Sequence, residues 1–340
     1  MPQPDTAGAS ETPYCPTTIL VTGGCGFIGS NFIRHILASD STVSVVNLDA
    51  LTYAGNPDNL ADVEAGFPSR YRFIHGDIRH HGAVRKAMAD CDTVVHFAAE
   101  SHVDRSIVHA RDFITTNVEG TYVLLEEAHR AGIQRFLHIS TDEVYGSTES
   151  GSFSEDDPLA PSSPYSASKA AADLLVLSYG TTFDLPVLIT RSTNNFGPYQ
   201  FPEKLIPLFI TNLLEGSVVP LYGDGLNVRD WIYVLDNCRA LDTVLRLGAV
   251  GDVYNVGAAN EVTNHYVTTS LLESLGAGEE MVNYVADRPG HDRRYSVTTH
   301  KVRGLGWAPT RDFRQALSET VSWYVNNPHW WKRMKERVAF

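Results

Sequence analysis

The sequence predicts an α/β chain: a doubly wound parallel sheet with helices on both faces, joined to a smaller α/β carboxyl-terminal part. Three observations predict it. Short β-branched runs alternate with helix-periodic stretches from Thr18 to Arg191. A glycine-rich turn joins the first run to the first helical stretch. Beyond Arg191 the alternation breaks and Pro- and Gly-punctuated segments take over. Regular strand–helix alternation is the pattern of a parallel sheet covered on both faces.

The chain has 340 residues, 43% hydrophobic and 20% charged, enough for one large domain or two linked ones. A net charge of −13 disfavours nucleic acid and anionic membrane as partners. An anionic substrate therefore needs a local basic pocket. Cys15, Cys25, Cys91 and Cys238 have neither metal-ligand spacing nor a disulfide framework, so no metal and a reducing cytoplasm are expected. No apolar run reaches the ~18 residues of a membrane helix. Residues 1–16, rich in Pro and Thr and without an apolar signal core, read as a disordered tail.

Thr18 to Thr22 is the first buried strand by pattern. Gly23-Gly24-Cys25-Gly26-Phe27-Ile28-Gly29 follows, then a periodic helix from Asn31 to Ala38. Strand, glycine turn and helix in this order form the dinucleotide fingerprint of a Rossmann-type sheet. Gly23 permits the tight turn, Gly26 lets the backbone approach a pyrophosphate, and Gly29 lets the helix lie close to the strand. The helix N-terminus then offers free N–H groups to phosphate. The second strand, Val43 to Leu48, ends at Asp49, 20 residues beyond Gly29. A carboxylate there bonds both ribose hydroxyls and repels a 2′-phosphate, which favours NAD over NADP.

Tyr71 to Ile78 reads as the third strand and its turn, with Asp77 and Ile78 placed to hold an adenine; Asp77 equally reads as a loop cap. Thr93 to Ala99 is the fourth strand. Its small residues Ala98 and Ala99 let the chain pass close to a cofactor. Ser101, His102 and Asp104 follow, with His102 either facing substrate or solvated. Arg111 to Ala131 is helical, with Val118, Tyr122, Leu125 and Ala128 as its apolar stripe.

Arg135 to Ile139 is a buried strand that opens into Ser140-Thr141-Asp142-Glu143-Val144-Tyr145. Residues 147–164 read as an irregular, lid-like loop ending in a helix cap and first-turn proline, Ser162-Ser163-Pro164. Tyr165 and Lys169 then stand at i and i+4 on one helix face. An ammonium beside a phenol favours the phenolate, so the Tyr165 pKa is expected to fall from about 10 towards neutral. With a hydroxyl from Thr141, that is an acid/base device for a carbinol. Alone, a Tyr–Lys pair at this spacing is common by chance, and Asp-Glu after a strand is usually a solvated loop. Their weight comes from their place behind a nucleotide-binding signature. The two extra acids, Asp142 and Glu143, suggest a second chemical task. The helix onward to Tyr179 is apolar nearly all round, so one side covers the sheet and the other is free for a partner subunit.

After the strand from Pro186 to Arg191, a turn at 194–198 leads to a helix through Leu214. Short strands, a helix from Asp236 to Leu247, a strand from Val253 and a final helix containing Trp323, Trp330 and Trp331 complete the chain. Lys204, Arg229 and Arg288 each stand in a turn or at an element end. Singly they read as surface charges; together they read as a pyrophosphate site.

With these residues in place, the chain resembles the extended short-chain dehydrogenase/reductase family over nearly all of residues 17–325. Residues 98–106, 140–146, 194–207, 229–231 and 288–292 are more specific and are similar to the nucleotide-sugar 4,6-dehydratases within it. Asp142-Glu143 discriminates, because sugar epimerases of the family usually carry small or neutral residues there. Phe196 stands where Tyr is common. The resemblance implies a Rossmann domain (17–193 and 230–257), a nucleotide-sugar domain (194–229 and 258–330), tightly held NAD and a homodimer built on a four-helix bundle. It implies a nucleoside-diphosphate sugar as substrate, dTDP-glucose favoured. Cofactor contacts are expected at Gly23, Gly26, Phe27, Ile28, Gly29, Asp49, Asp77, Ile78, Ala98, Ala99, Tyr165 and Lys169. Substrate contacts are expected at Ser101, His102, Asn195, Lys204, Arg229, Asn264, Arg288 and His291. The expected catalytic set is Thr141, Asp142, Glu143, Tyr165 and Lys169, with Asp142 as acid and Glu143 as base in an elimination. An NAD-dependent 4-epimerase, a UDP-glucose 4,6-dehydratase and a non-catalytic NAD-binding regulator are the alternatives.

Overall fold

The computed structural model of the chain describes residues 12–288 and 290–337. Seven parallel strands make the main sheet: β1 (Thr18–Thr22), β2 (Ser44–Asp49), β3 (Tyr71–His75), β4 (Thr93–His96), β5 (Arg135–Thr141), β6 (Val187–Ser192) and, later in the chain, Val253–Val256. Between β6 and that last strand come β7 (Asn194–Phe196), β8 (Val219–Tyr222) and β9 (Val228–Tyr233), which makes Val253–Val256 β10; β11 (Glu261–Thr263) and β12 (Val282–Val285) come after it. The main sheet has the order β10-β6-β5-β4-β1-β2-β3. Strand order runs one way from β1 to β3 and the other way from β4 to β10. The reversal lies between β1 and β4, and in such sheets ligands bind beyond the carboxyl ends of the strands at this point.

Adjacent strand residues point to opposite faces, and the two helix layers result from that. Ile19 and Val21 pack with Phe32, Ile36 and Leu241 beneath helices Phe27–Ser39 and Val234–Leu247. Leu20 and Val94 pack with Leu124 and Val176 beneath helices Gly120–Ala131 and Pro164–Phe183. A third core holds the carboxyl-terminal part together around Phe196, Phe209, Trp231, Tyr324 and Trp331. It joins the small sheet β11-β9-β7 to helices Leu205–Leu214, Asn264–Leu275 and Phe313–Asn326.

Several local expectations are corrected. The helix over 111–131 is interrupted by a wide turn at Ile114–Glu119, where the Gly120 N–H donates to the Thr115 carbonyl, i to i+5. The extra residue rotates the rest of the helix by about 100°. Tyr122, expected on the buried stripe, is exposed at its edge, while Leu125 and Ala128 of that stripe are buried, as are Thr121 and Leu124. Asn117 braces the wide turn: its amide binds both backbone groups of Glu100 and the Ser168 hydroxyl. The tryptophan-rich helix is two helices, Phe313–Asn326 and Pro328–Glu336. Pro328 has no N–H to continue the first helix and instead starts the second. The expected tail falls for residues 1–11 outside the described residues. Within 12–16, Tyr14 is fixed by its hydroxyl on Thr93 (2.8 Å) and by the Arg135 guanidinium over its ring, so this part is no free tail. The loop expected over 147–164 is irregular and fastened: Phe153 exchanges backbone bonds with Ser296 and Thr298, and Arg294 donates to the Gly151 carbonyl (2.7 Å). No helix among the described residues is long and apolar enough to cross a membrane.

Candidate active site

A cavity of about 410 Å³ opens at the sheet reversal. Its walls include Gly23, Gly26, Phe27, Ile28, Gly29, Asp49, Asp77, Ile78, Ala98, Ala99, Tyr165 and Lys169, all twelve of the expected cofactor residues. Two glycines are required by contact. Gly23 has φ +71°, and a Cβ there would stand 2.7 Å from the Ala98 backbone. A Cβ on Gly29 would stand 2.5 Å from the Gly23 carbonyl oxygen, so the helix lies as close to the strand as the fingerprint demands. The turn of helix Phe27–Ser39 that begins after Gly26 leaves its first N–H groups without intrahelical partners beside this cavity. Asp49 is buried at the end of β2 and is held by the N–H groups of Cys25 (2.9 Å) and Leu51 (2.8 Å). This cradle fits a dinucleotide. Asp77 lines the cavity and also caps its own turn through the Arg79 N–H (2.8 Å) and the Arg79 guanidinium.

β5 delivers Thr141, and helix Pro164–Phe183 delivers Tyr165 and Lys169. Ser163 caps that helix by accepting from the Ser166 N–H (3.1 Å), and Pro164 occupies its first turn. The Tyr165 ring packs edge-on against Phe113. Lys169 Nζ donates to the Ile139 carbonyl (2.7 Å), and burial brings its pKa down to about 8. The expected lowering of the Tyr165 phenol is corrected here. Burial and then the charge of Glu143 push it well up, and a hydrogen bond with Thr141 offsets this only in part. The physical reason is that the ammonium is engaged by Ile139 while the phenol faces two acids.

The Thr141 hydroxyl ties the device to the acid pair. It bonds Tyr165, donates to Asp142 Oδ1 (3.3 Å) and accepts from the Glu143 N–H (3.3 Å). Asp142 and Glu143 occupy a short turn, Asp142–Tyr145. Asp142 is buried, its Oδ2 has no partner among the described residues, and burial together with the charges of Glu143 and Asp230 raises its pKa well above its usual value. Glu143 accepts from Ser166 Oγ (3.3 Å). Burial raises it too, but Arg229, Lys204 and Arg288 pull it back down.

A second cavity of about 210 Å³ adjoins the first, and Gln200, Glu203 and Lys204 line both. It gathers Glu143, His102, Asn195, Lys204, Arg229, Asn264, Arg288 and His291 from across the chain. Ser101 lines the first cavity instead, where its carbonyl accepts from Lys204 Nζ (2.8 Å). His102 caps the helix Val103–Val108, and burial lowers its pKa to about 4. Arg229 is buried, with its guanidinium over the Tyr295 ring and donating to the Asp292 carbonyl (2.8 Å). Arg288 pairs with Asp104 (3.1 Å) while its buried Nε has no partner among the described residues. Asn195 and Asn264 likewise keep a buried side-chain oxygen unpartnered. Orphaned polar atoms converging on one cavity are what a polar ligand would satisfy.

Two wall residues, Glu203 and Gln200, and one that supports the wall, Tyr295, escaped the sequence reading. Glu203 accepts from Tyr53 (2.7 Å) and faces Arg105, although it neighbours Lys204 in the chain. Tyr295 shapes Arg229 by stacking, and Gln200 stands between the cavities. None carries a spacing signal, because their partners are distant in sequence.

A model of the family described as GDP-mannose 4,6 dehydratase matches residues 20–320. The Haloferax volcanii low-salt glycan biosynthesis protein Agl12 is 56% identical over 309 residues, covering 91% of this chain and 99% of that protein. A dTDP-glucose 4,6-dehydratase from an Actinoplanes species is 51% identical over 319 residues, covering 92% of this chain and 99% of its own. The crystal structure of DesIV, a dTDP-glucose 4,6-dehydratase from Streptomyces venezuelae solved with NAD bound, superposes with a TM-score of 0.91 at 53% identity, covering 93% of this chain and 99% of that one.

Proposed function

The chain belongs to the GDP-mannose 4,6-dehydratase family, and from that premise we propose that it is an NAD-dependent hydro-lyase converting dTDP-glucose to dTDP-4-keto-6-deoxyglucose and water. The observation that carries this reading is the Asp142–Glu143 pair, a buried acid next to a half-buried one with opposite charge surroundings beside a Tyr–Lys device. A 4-epimerase uses the Tyr–Lys device and has no use for such a pair.

When bound, NAD supplies the hydride acceptor for C4, the hydride donor for C6, and a positive ring that opposes the upward pull of burial on the phenol. Tyr165 takes the C4 hydroxyl proton, and Thr141 steadies the C4 oxygen. The resulting 4-ketone acidifies the C5 proton. Glu143 removes that proton as base, since three cations favour its carboxylate. Asp142, kept protonated by burial and by its anionic neighbours, gives its proton to the C6 hydroxyl, which leaves as water. Glu143 returns its proton to C5, and the proton that Tyr165 took from C4 restores Asp142 by way of the Thr141 hydroxyl that bonds both. Two neighbouring carboxyls split in this way run acid and base chemistry at one pH.

Arg229, Lys204 and Arg288 bind the diphosphate, with Asn195, Asn264 and His291 completing the nucleotide contacts; their convergence on one cavity supports this. Asp49 selects NAD through the ribose hydroxyls. The nucleotide-sugar part comprises residues 194–229 and 258–330; most of the third hydrophobic core comes from these ranges, and Trp231, Tyr233 and Trp331 join it from outside them. The protein works as a homodimer in a reducing cytoplasm. Support comes from Val108 (72% exposed), Leu174 (60%), Tyr122 and Phe183 standing in solvent on packed helices, and from four free cysteines. Incubation with dTDP-glucose and UDP-glucose separately, with analysis of the products, tests the function. A 4-keto-6-deoxy product from dTDP-glucose is expected; a 4-epimer without loss of water would refute it.

A further inference from the structure

Behind Lys169 lies a group of buried charges that the chemistry above does not use and that line neither cavity. Asp173 stands one helical turn beyond Lys169 and is 0% exposed. Arg191, on β6, donates Nε to Asp173 Oδ2 (2.9 Å) and NH1 to the Tyr145 hydroxyl (2.7 Å). His138, on β5, places its Nε2 3.4 Å from Lys169 Nζ and 3.5 Å from Asp173 Oδ1. Lysine and aspartate thus meet at the same ring nitrogen.

A fully buried carboxylate is retained at a cost that an apolar pair would avoid, so its presence asks for a task. Pairing Arg191 is one, but the influence does not stop there: Asp173 contacts Arg191 directly, and its charge also reaches Lys169 one turn away. The groups around the ammonium are Asp173 on its own helix and His138 and His96 on the sheet, with Arg191 beyond His138. Both histidines are held neutral by burial and by Lys169 itself. Burial works against the ammonium, and the charge of Asp173 opposes it.

We propose that Asp173 is a positioning residue for Lys169: clamped by Arg191 and reaching across His138, its carboxylate keeps the lysine ammonium protonated and seated on the Ile139 carbonyl. This rests on the reading of Lys169 as the partner of Tyr165. An ammonium that lost its proton at working pH would withdraw its charge from the phenol and let the amine turn away from Ile139.

The chain has six lysines, so their Nζ resonances can be followed individually in ¹⁵N-lysine-labelled holoenzyme. In Asp173→Asn the Lys169 titration falls by about one pH unit or more, the scale on which an opposite charge acts. The alkaline limb of the pH–rate profile for C4 oxidation moves down with it, and Asp173→Glu restores part of both shifts. Asp173→Asn leaves Arg191 unpaired and can fail to fold. The double variant Asp173→Asn/Arg191→Gln leaves two neutral amides that can bond each other, and the same fall is expected. An unchanged Lys169 titration in either folded variant overturns the proposal and leaves Asp173 with a structural role only. A lowered titration with an unmoved rate profile keeps Asp173 as the holder of Lys169 and overturns the pairing of Lys169 with Tyr165 instead.

Discussion

Asp142 and Glu143 are consecutive in the chain and opposite in surroundings. Burial raises both, but the charges that act most on Asp142 after burial are Glu143 and Asp230, whereas those on Glu143 are Arg229, Lys204 and Arg288. The first is the acid and the second the base for that reason, and the order is set by residues far away in sequence.

The rate of dehydration is expected to be bell-shaped in pH. Glu143 must be ionised, and burial raises its pKa, so the acid limb lies above the ordinary glutamate value of about 4.3. The rate falls as pH drops through that limb because the base is being protonated. Lys169 must keep its proton, and burial brings its pKa to about 8, so the rate falls again as pH rises past that value. Steady-state rates at saturating substrate check this; a flat profile from about pH 5 to pH 9 contradicts it.

Asp49→Ser is expected to relax discrimination against the 2′-phosphate of NADP, since the repelling carboxylate is gone. The variant also loses the acceptor for the Cys25 and Leu51 N–H groups, so its melting temperature will drop. Reconstitution with each dinucleotide measures the ratio. Wild-type protein that accepts NADP as readily as NAD would refute the assignment.

Arg229→Ala is expected to weaken binding of free dTDP by about 1.5–3 kcal/mol, the worth of a charge-assisted bond, while NAD stays bound. Titration calorimetry reads both. An unchanged dTDP affinity removes Arg229 from the site.

Sedimentation is expected to give twice the chain mass of 37.4 kDa. Leu174→Glu places a charge on the exposed apolar face of helix Pro164–Phe183 and will shift the protein to single chains. A wild-type monomer at micromolar concentration would show that this face needs no partner.

Much of the fold was legible because its signals are local. Thr18 to Gly29 carries strand, turn and helix in a short stretch, and Asp49, Tyr165 and Lys169 stand at spacings that mean something on a strand end or a helix face. What escaped was set by contacts distant in sequence or by a single irregular turn. The wide turn at Ile114–Glu119 has no breaker residue to announce it. Pro328, between Trp323 and Trp330, marks the break in the last helix. The upward shift of the Tyr165 phenol depends on burial and on Glu143, from a different element, which spacing alone does not report. The charges behind Lys169 come from three elements, so no motif contains them.

Single-turnover absorbance of the reduced nicotinamide, recorded together with product, separates the two chemical tasks most directly. Asp142→Asn keeps size and hydrogen bonding but delivers no carboxyl proton; Glu143→Gln accepts none from C5. Both are expected to oxidise C4, so reduced cofactor accumulates, while dehydration slows by about 10²–10⁴-fold, the usual worth of general acid–base help. Tyr165→Phe is expected to block the first step, with little reduced cofactor formed. Full dehydration rates in both Asp142→Asn and Glu143→Gln would contradict the division of labour between the acid pair and the Tyr165–Lys169 device.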